Sequence, residues 1–218
     1  MGAQKIWDNA FENPDIAAYK SLLKRMNPDN TLRHYPGSPI ICAEVMRPHD
    51  RLIANELHPE DVAVLQRNLR DYSIARTTAM DAYTAIKGAL PPVERRGLIL
   101  IDPPFERRDE FDMLARAMGA WQKRWPTGIY MIWYPVKTHL PTYTILESAV
   151  KGGWTNILQA DFHIRDPKTP ETLTGTGLLI LNAPWQIDRR VDAIFKALLP
   201  HLALDASATY DIDMLNVV

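Results

Sequence analysis

A chain of 218 residues, 46% hydrophobic, can bury one sizeable core, and one α/β domain is a better expectation than two. A formal net charge of −1 excludes a globally basic nucleic-acid binder, leaving such contacts to local doublets: Arg95-Arg96, Arg107-Arg108, Lys123-Arg124 and Arg189-Arg190. The lone Cys42 excludes an internal disulfide. No apolar run is long enough to cross a bilayer, and the first residues carry no apolar signal core, so a cytoplasmic protein is expected.

Taken in chain order, Ile16, Tyr19, Leu22, Leu23 and Met26 recur at intervals of three and four, predicting an amphipathic helix over 13–26. Tyr35-Pro36-Gly37-Ser38-Pro39 reads as a tight turn. Ser38 would be the N-cap and Pro39 the first turn of a helix reaching about Met46, with Cys42 as buried filler. A strand over 51–57 carries Glu56 at its carboxyl end. A carboxylate there matches the vicinal hydroxyls of a ribose, and a plain surface residue is the alternative. His58-Pro59 opens a helix to Leu69, and a strand over 75–80 follows. Asp81 then either contacts an adenine or caps a helix over 82–89.

Gly97 next introduces four branched aliphatics and Asp102-Pro103-Pro104-Phe105, which predicts a short strand buried on both faces with chemistry at its end. A helix over 109–125 and a strand over 127–134, closed by Pro135, come after it. A helix over 143–150, strands over 154–164 and 177–182, and a last helix over 189–198 complete the pattern. This alternation predicts a parallel sheet finished by an antiparallel edge hairpin. His34, His49, His58, His139, His163 and His201 show no metal-ligand spacing, so no metal is expected.

Proline fixes φ and holds its predecessor extended, so the carbonyls of Asp102-Pro103-Pro104 have set directions. The Asp102 carboxylate and a proline carbonyl can accept the two N–H hydrogens of an exocyclic amine while Phe105 stacks on the ring that bears it. An aromatic amine is a poor nucleophile, because its lone pair is delocalised. Two acceptors draw its nitrogen toward the tetrahedral geometry of in-line methyl transfer. The competing reading is a strand that stops in a proline-rich turn.

Tyr35-Pro36-Gly37-Ser38-Pro39, Glu56-Leu57-His58-Pro59, Asp81, the run from Arg95 to Phe105, Trp133-Tyr134-Pro135 and Asn182-Ala183-Pro184-Trp185 together resemble the RlmJ family. Its members are S-adenosylmethionine-dependent adenine-N6 methyltransferases of 23S ribosomal RNA. The resemblance implies an α/β fold, the class I S-adenosylmethionine-dependent methyltransferase (Rossmann-like) sheet with helices on both faces. One methyltransferase domain would span 1–218, with 10–48 a helical insertion. It also implies that Ser38, Glu56, Asp81, Ala82 and Asp102 contact S-adenosylmethionine. Asp102 would be catalytic, and Pro103, Pro104 and Phe105 would complete the amine clamp. The implied partner is 23S ribosomal RNA, presenting an exposed or flipped adenine, with no membrane and a monomer favoured.

Phe105 stands where the family has tyrosine, a mild change for a ring that stacks. Ala183-Pro184 replaces a Pro-Pro pair. The family's His-Ala-Gly-x-Gly loop and the strand before it have no counterpart, so a sheet lacking its first strand and an N-terminally shortened chain are expected. Two other readings stand beside the RNA methyltransferase: an inactive remnant that at most binds RNA, and a DNA adenine-N6 methyltransferase.

Overall fold

The computed structural model describes residues 2–107, 109–137, 140–169 and 172–215; Arg108 and His139, named above, lie outside them. In chain order the elements are α1 (Gly2–Asp8), α2 (Pro14–Met26), α3 (Ser38–Val45), β1 (Leu52–Asn55), α4 (Pro59–Leu69), β2 (Ala75–Thr78), α5 (Ala82–Ala89) and β3 (Leu98–Ile101). There follow α6 (Glu110–Arg124), β4 (Ile129–Val136), α7 (Tyr143–Lys151), β5 (Ile157–His163), β6 (Gly175–Leu181), α8 (Ile187–Leu202) and β7 (Thr209–Leu215). They group into two compact units, Tyr19–Leu90 and Met1–Ala18 with Pro91–Val218.

In the smaller unit β1 and β2 form a parallel two-stranded sheet, Leu52 opposite Ala75 and Asn55 opposite Thr78. One side packs on helices through Ala43, Ala54 and Leu69, joined by Ile40, Leu65 and Tyr72. Residues of the other register, such as Ile53, are exposed.

The larger unit holds a five-stranded sheet in the order β3-β4-β6-β5-β7. The β3–β4 pair is parallel, while β6 runs antiparallel to both its neighbours and β7 antiparallel to β5. One face carries Met131, Leu158, Ala160 and Ile180, packed with Val191 and Phe195 of α8. The opposite face carries Tyr130, whose fully buried ring stacks on Trp121 of α6 at 5.9 Å and meets Trp154 edge-on at 4.9 Å. The expected α/β sheet with helices on both faces is therefore present in this unit.

Several expectations need correction. The strands form two sheets, and the final hairpin is not an edge: β6 inserts beside β4, and β7, absent from the sequence reading, takes the edge. β3 is itself an edge strand, so it is not buried on both faces: Ile101 is covered while Leu98 and Leu100 are 50% and 38% exposed. Pro135 does not close β4, which runs on to Val136. There β4 has passed the end of β3 and is open on that side, a position where proline is tolerated in a sheet. Finally, Gly97 and Gly128 serve packing, since a Cβ on either would meet the Trp125 ring.

Candidate active site

Asp102 leaves the carboxyl end of β3, beside the parallel strand β4, which runs on past Ile132 to Val136. Its carboxyl group is solvent-exposed, yet surrounding protein displaces enough water to raise its pKa above the ordinary carboxylate value. Among the described residues it has no hydrogen-bond partner, so both oxygens are open to a ligand.

Phe105, half-buried, holds a left-handed backbone with φ 51°, an outlying conformation for an aromatic residue. That geometry seats its ring 4.9 Å from Phe111 of α6 and 6.1 Å from Trp133 of β4. Phe111 is 2% exposed, so the Phe105 ring rests on the core. Pro103 is half-buried and Pro104 exposed. Local sequence marks neither Phe111 nor Trp133 as a support for that ring. Phe111 was legible only as a core residue, and Trp133's proximity depends on strand pairing that no local pattern encodes. The Arg107 guanidinium forks onto Asp109 at 3.1 and 3.2 Å.

In the smaller unit, Glu56 and Asp81 follow the carboxyl ends of β1 and β2. Glu56 Oε1 accepts from the backbone of Leu57 and His58 at 2.7 and 3.0 Å. Asp81 Oδ1 accepts from Thr84 N at 2.9 Å and from Thr84 Oγ1 at 3.1 Å, so Asp81 caps α5 and Ala82 begins it, exposed. Each carboxylate is thus fixed through one oxygen, and among the described residues the other oxygen of each is unpaired. Asn55, which no local motif singles out, ties the two strand ends together: its Nδ2 donates to Met80 O and its Oδ1 accepts from Thr78 Oγ1, both at 2.8 Å.

Ser38 is not the N-cap. It is the first helical residue, and Gly37 precedes it with a carbonyl that accepts from Ile40 and Ile41 at 3.1 Å. Proline at the second helical position fits either register, so the sequence could not separate them. Cys42 is half-buried and burial raises its thiol pKa, in keeping with filler. Among the described residues no cluster of His, Cys, Asp or Glu could hold a metal ion, and no helix is long and apolar enough to cross a membrane.

A family model described as "Ribosomal RNA large subunit methyltransferase D, RlmJ" matches residues 1–213. The chain is 33% identical over 216 residues to a Haemophilus influenzae protein named ribosomal RNA large subunit methyltransferase J, covering 99% of this chain and 77% of that one. The Escherichia coli protein of the same name is 33% identical over 193 residues, or 88% and 69% of the two chains. A crystal structure of a Legionella pneumophila protein superposes with TM-score 0.88 at 29% identity, over 96% of this chain and 78% of that one.

Proposed function

Because the chain belongs to the RlmJ family of large-subunit ribosomal RNA methyltransferases, we propose that it transfers a methyl group from S-adenosylmethionine to N6 of an adenine in 23S ribosomal RNA. The family makes it an RNA methyltransferase and favours neither an inactive remnant nor a DNA enzyme. What this reading adds is the cofactor, the target atom and the residues. The observation that carries it is Asp102: an unpartnered, partly desolvated carboxyl at the end of β3, followed by two prolines and a Phe105 ring braced on the core.

The donor and acceptor chemistry of the smaller unit fits the nucleoside part of the cofactor. Glu56, with one oxygen pinned, has another to accept from ribose hydroxyls, and Asp81 likewise has one for an amino group. Ala82 places an exposed helix start beside Asp81. Ser38 stands exposed at the start of α3. When bound, S-adenosylmethionine supplies an electrophilic methyl group on a sulfonium sulfur.

The chain's own part is to make an adenine amine nucleophilic. Asp102 accepts one N–H and a carbonyl of the proline pair the other, drawing the nitrogen lone pair out of the ring. Phe105 stacks on the base and resists its rotation. As the C–N bond forms and the sulfonium S–CH3 bond breaks to leave a neutral thioether, the nitrogen becomes cationic, and Asp102 is placed to take the proton it sheds. The base must leave any helix to present this edge, so the substrate is single-stranded or flipped.

The test is to incubate the protein with a 23S transcript and labelled S-adenosylmethionine, digest the RNA and separate the nucleosides by mass spectrometry. Label in N6-methyladenosine is expected, and label in a ribose, in C2 of adenine or in another base would overturn the reading. Glu56→Gln should weaken cofactor affinity about tenfold, since it turns charge-assisted bonds into neutral ones.

A further inference from the structure

Trp185 is 87% exposed, whereas Trp121, Trp125 and Trp154 are all at least nine-tenths buried. Tryptophan is highly buried on average, and the backbone leading to this exposed indole is tied down by hydrogen bonds. Pro184 precedes it, and Ala183 N donates to Asn156 O at 2.8 Å. The Asn182 side-chain nitrogen donates to Pro126 O and Gly128 O, each at 2.7 Å. Asn156, Asn182 and Gln186 all take left-handed backbone, with φ of 48°, 53° and 61°. Beside the ring lies a cleft of about 320 Å3 lined by Asn156, Gln186, Asp188 and Arg189 together with the apolar Ala183 and Met214. Arg190 is engaged by Asp15, but Arg189 has no ion pair among the described residues.

We propose that this cleft is a second RNA-binding site, in which Trp185 stacks on one unpaired base of the substrate RNA and Arg189 meets its phosphate. The proposal rests on the RNA methyltransferase reading above and extends it to a part of the RNA distant from the target. Leu181, at the end of β6, pairs with Tyr130 near the start of β4, whereas Ile101, before Asp102, pairs with Ile132. Asn182 and Asp102 therefore leave the sheet at opposite ends, about four residues or ~13 Å apart along the strand before either loop projects. One nucleotide cannot occupy both places.

The lining chemistry selects the ligand. A protein partner anchored on this indole would need a packed patch of about 800 Å2 around it, far more than the cleft offers. Beside the apolar Ala183 and Met214, the cleft offers amides, a carboxylate and a guanidinium, which suit a base edge, a ribose hydroxyl and a phosphate. The cleft has the volume of a small-ligand site and not of a protein interface. Stacking on an indole accepts any base, so the site adds affinity and orientation rather than sequence choice.

The experiment is fluorescence anisotropy of a labelled single-stranded 23S fragment against the full chain and its variants. Trp185→Ala should weaken binding about tenfold while Trp185→Phe stays within about threefold, as a stacking contact requires. Arg189→Ala should lower the slope of log affinity against log salt by about one. Trp185 is exposed, so the melting temperature of Trp185→Ala should match the parent and exclude misfolding. Unchanged binding in Trp185→Ala, with the parent binding RNA and methylating it, would overturn this site and leave the enzyme reading intact. A parent that methylates no RNA would overturn the enzyme reading and, with it, this one. A self-association in analytical ultracentrifugation that Trp185→Ala abolishes, with RNA affinity unmoved, would give the cleft to a second copy of the chain and overturn the proposal.

Discussion

Two aspartates in the larger unit differ instructively. Asp102 ends β3 with no hydrogen-bond partner among the described residues, whereas Asp161 sits within β5 in a polar row across β4, β6 and β5. Tyr134, Gly177 and Asp161 are register partners in that row. The Tyr134 hydroxyl donates to Asp161 Oδ1 at 2.6 Å and Gln159 Nε2 to Oδ2 at 2.9 Å. Burial raises the pKa of both carboxyls, but at Asp161 two donors pull back toward the ionised form. Desolvation alone therefore does not mark a catalytic carboxyl. A buried group whose lone pairs are answered is structure, while one left open at a strand end is available for chemistry.

Three changes sharpen that contrast. The largest stability effect should come from Gly177→Ala, since a Cβ there would overlap the Tyr134 ring and the Asp161 carboxylate. A loss of about 3 kcal/mol, read as a fall of roughly 10 °C in a circular-dichroism melt, is expected. Trp133→Ala withdraws one support of the Phe105 ring and should lower kcat/KM about tenfold, with Trp133→Phe recovering most of it. The smallest effect concerns acidity. Asp102 must be ionised to accept, so the methylation rate should fall as pH drops through a pKa above the ordinary carboxylate range. A profile flat down to the usual carboxylate pKa would detach Asp102 from the rate.

Much of the candidate site is proposed from sequence because its motif is local. Asp102-Pro103-Pro104-Phe105 after an aliphatic strand needs no distant partner to be recognised, and α2, α4 and α6 follow their apolar periodicity. Asp81 left two roles open in sequence. The structure fills the capping role through one oxygen and leaves the other unpaired among the described residues. What stayed hidden is non-local. β7 carries a legible alternation of Tyr210, Ile212 and Met214 with Thr209, Asp211 and Asp213, but its place beside β5 is set by pairing. The exposure of Leu98 and Leu100 follows from β3 lying at an edge, which an aliphatic run cannot reveal.

The pKa shift also separates function from stability at Asp102. With its folded pKa raised, proton binding favours the folded state. That stabilisation is complete below the unfolded carboxylate pKa and is lost as pH rises through the folded value, so at neutral pH the ionised group is a mild cost. The decisive measurement is single-turnover methyl transfer to 23S RNA by the parent and by Asp102→Asn, alongside their melting temperatures at pH 7. The account predicts a rate lower by about 10²–10⁴-fold in a variant that melts no lower than the parent. A variant that retains the parental rate would contradict the role given to Asp102.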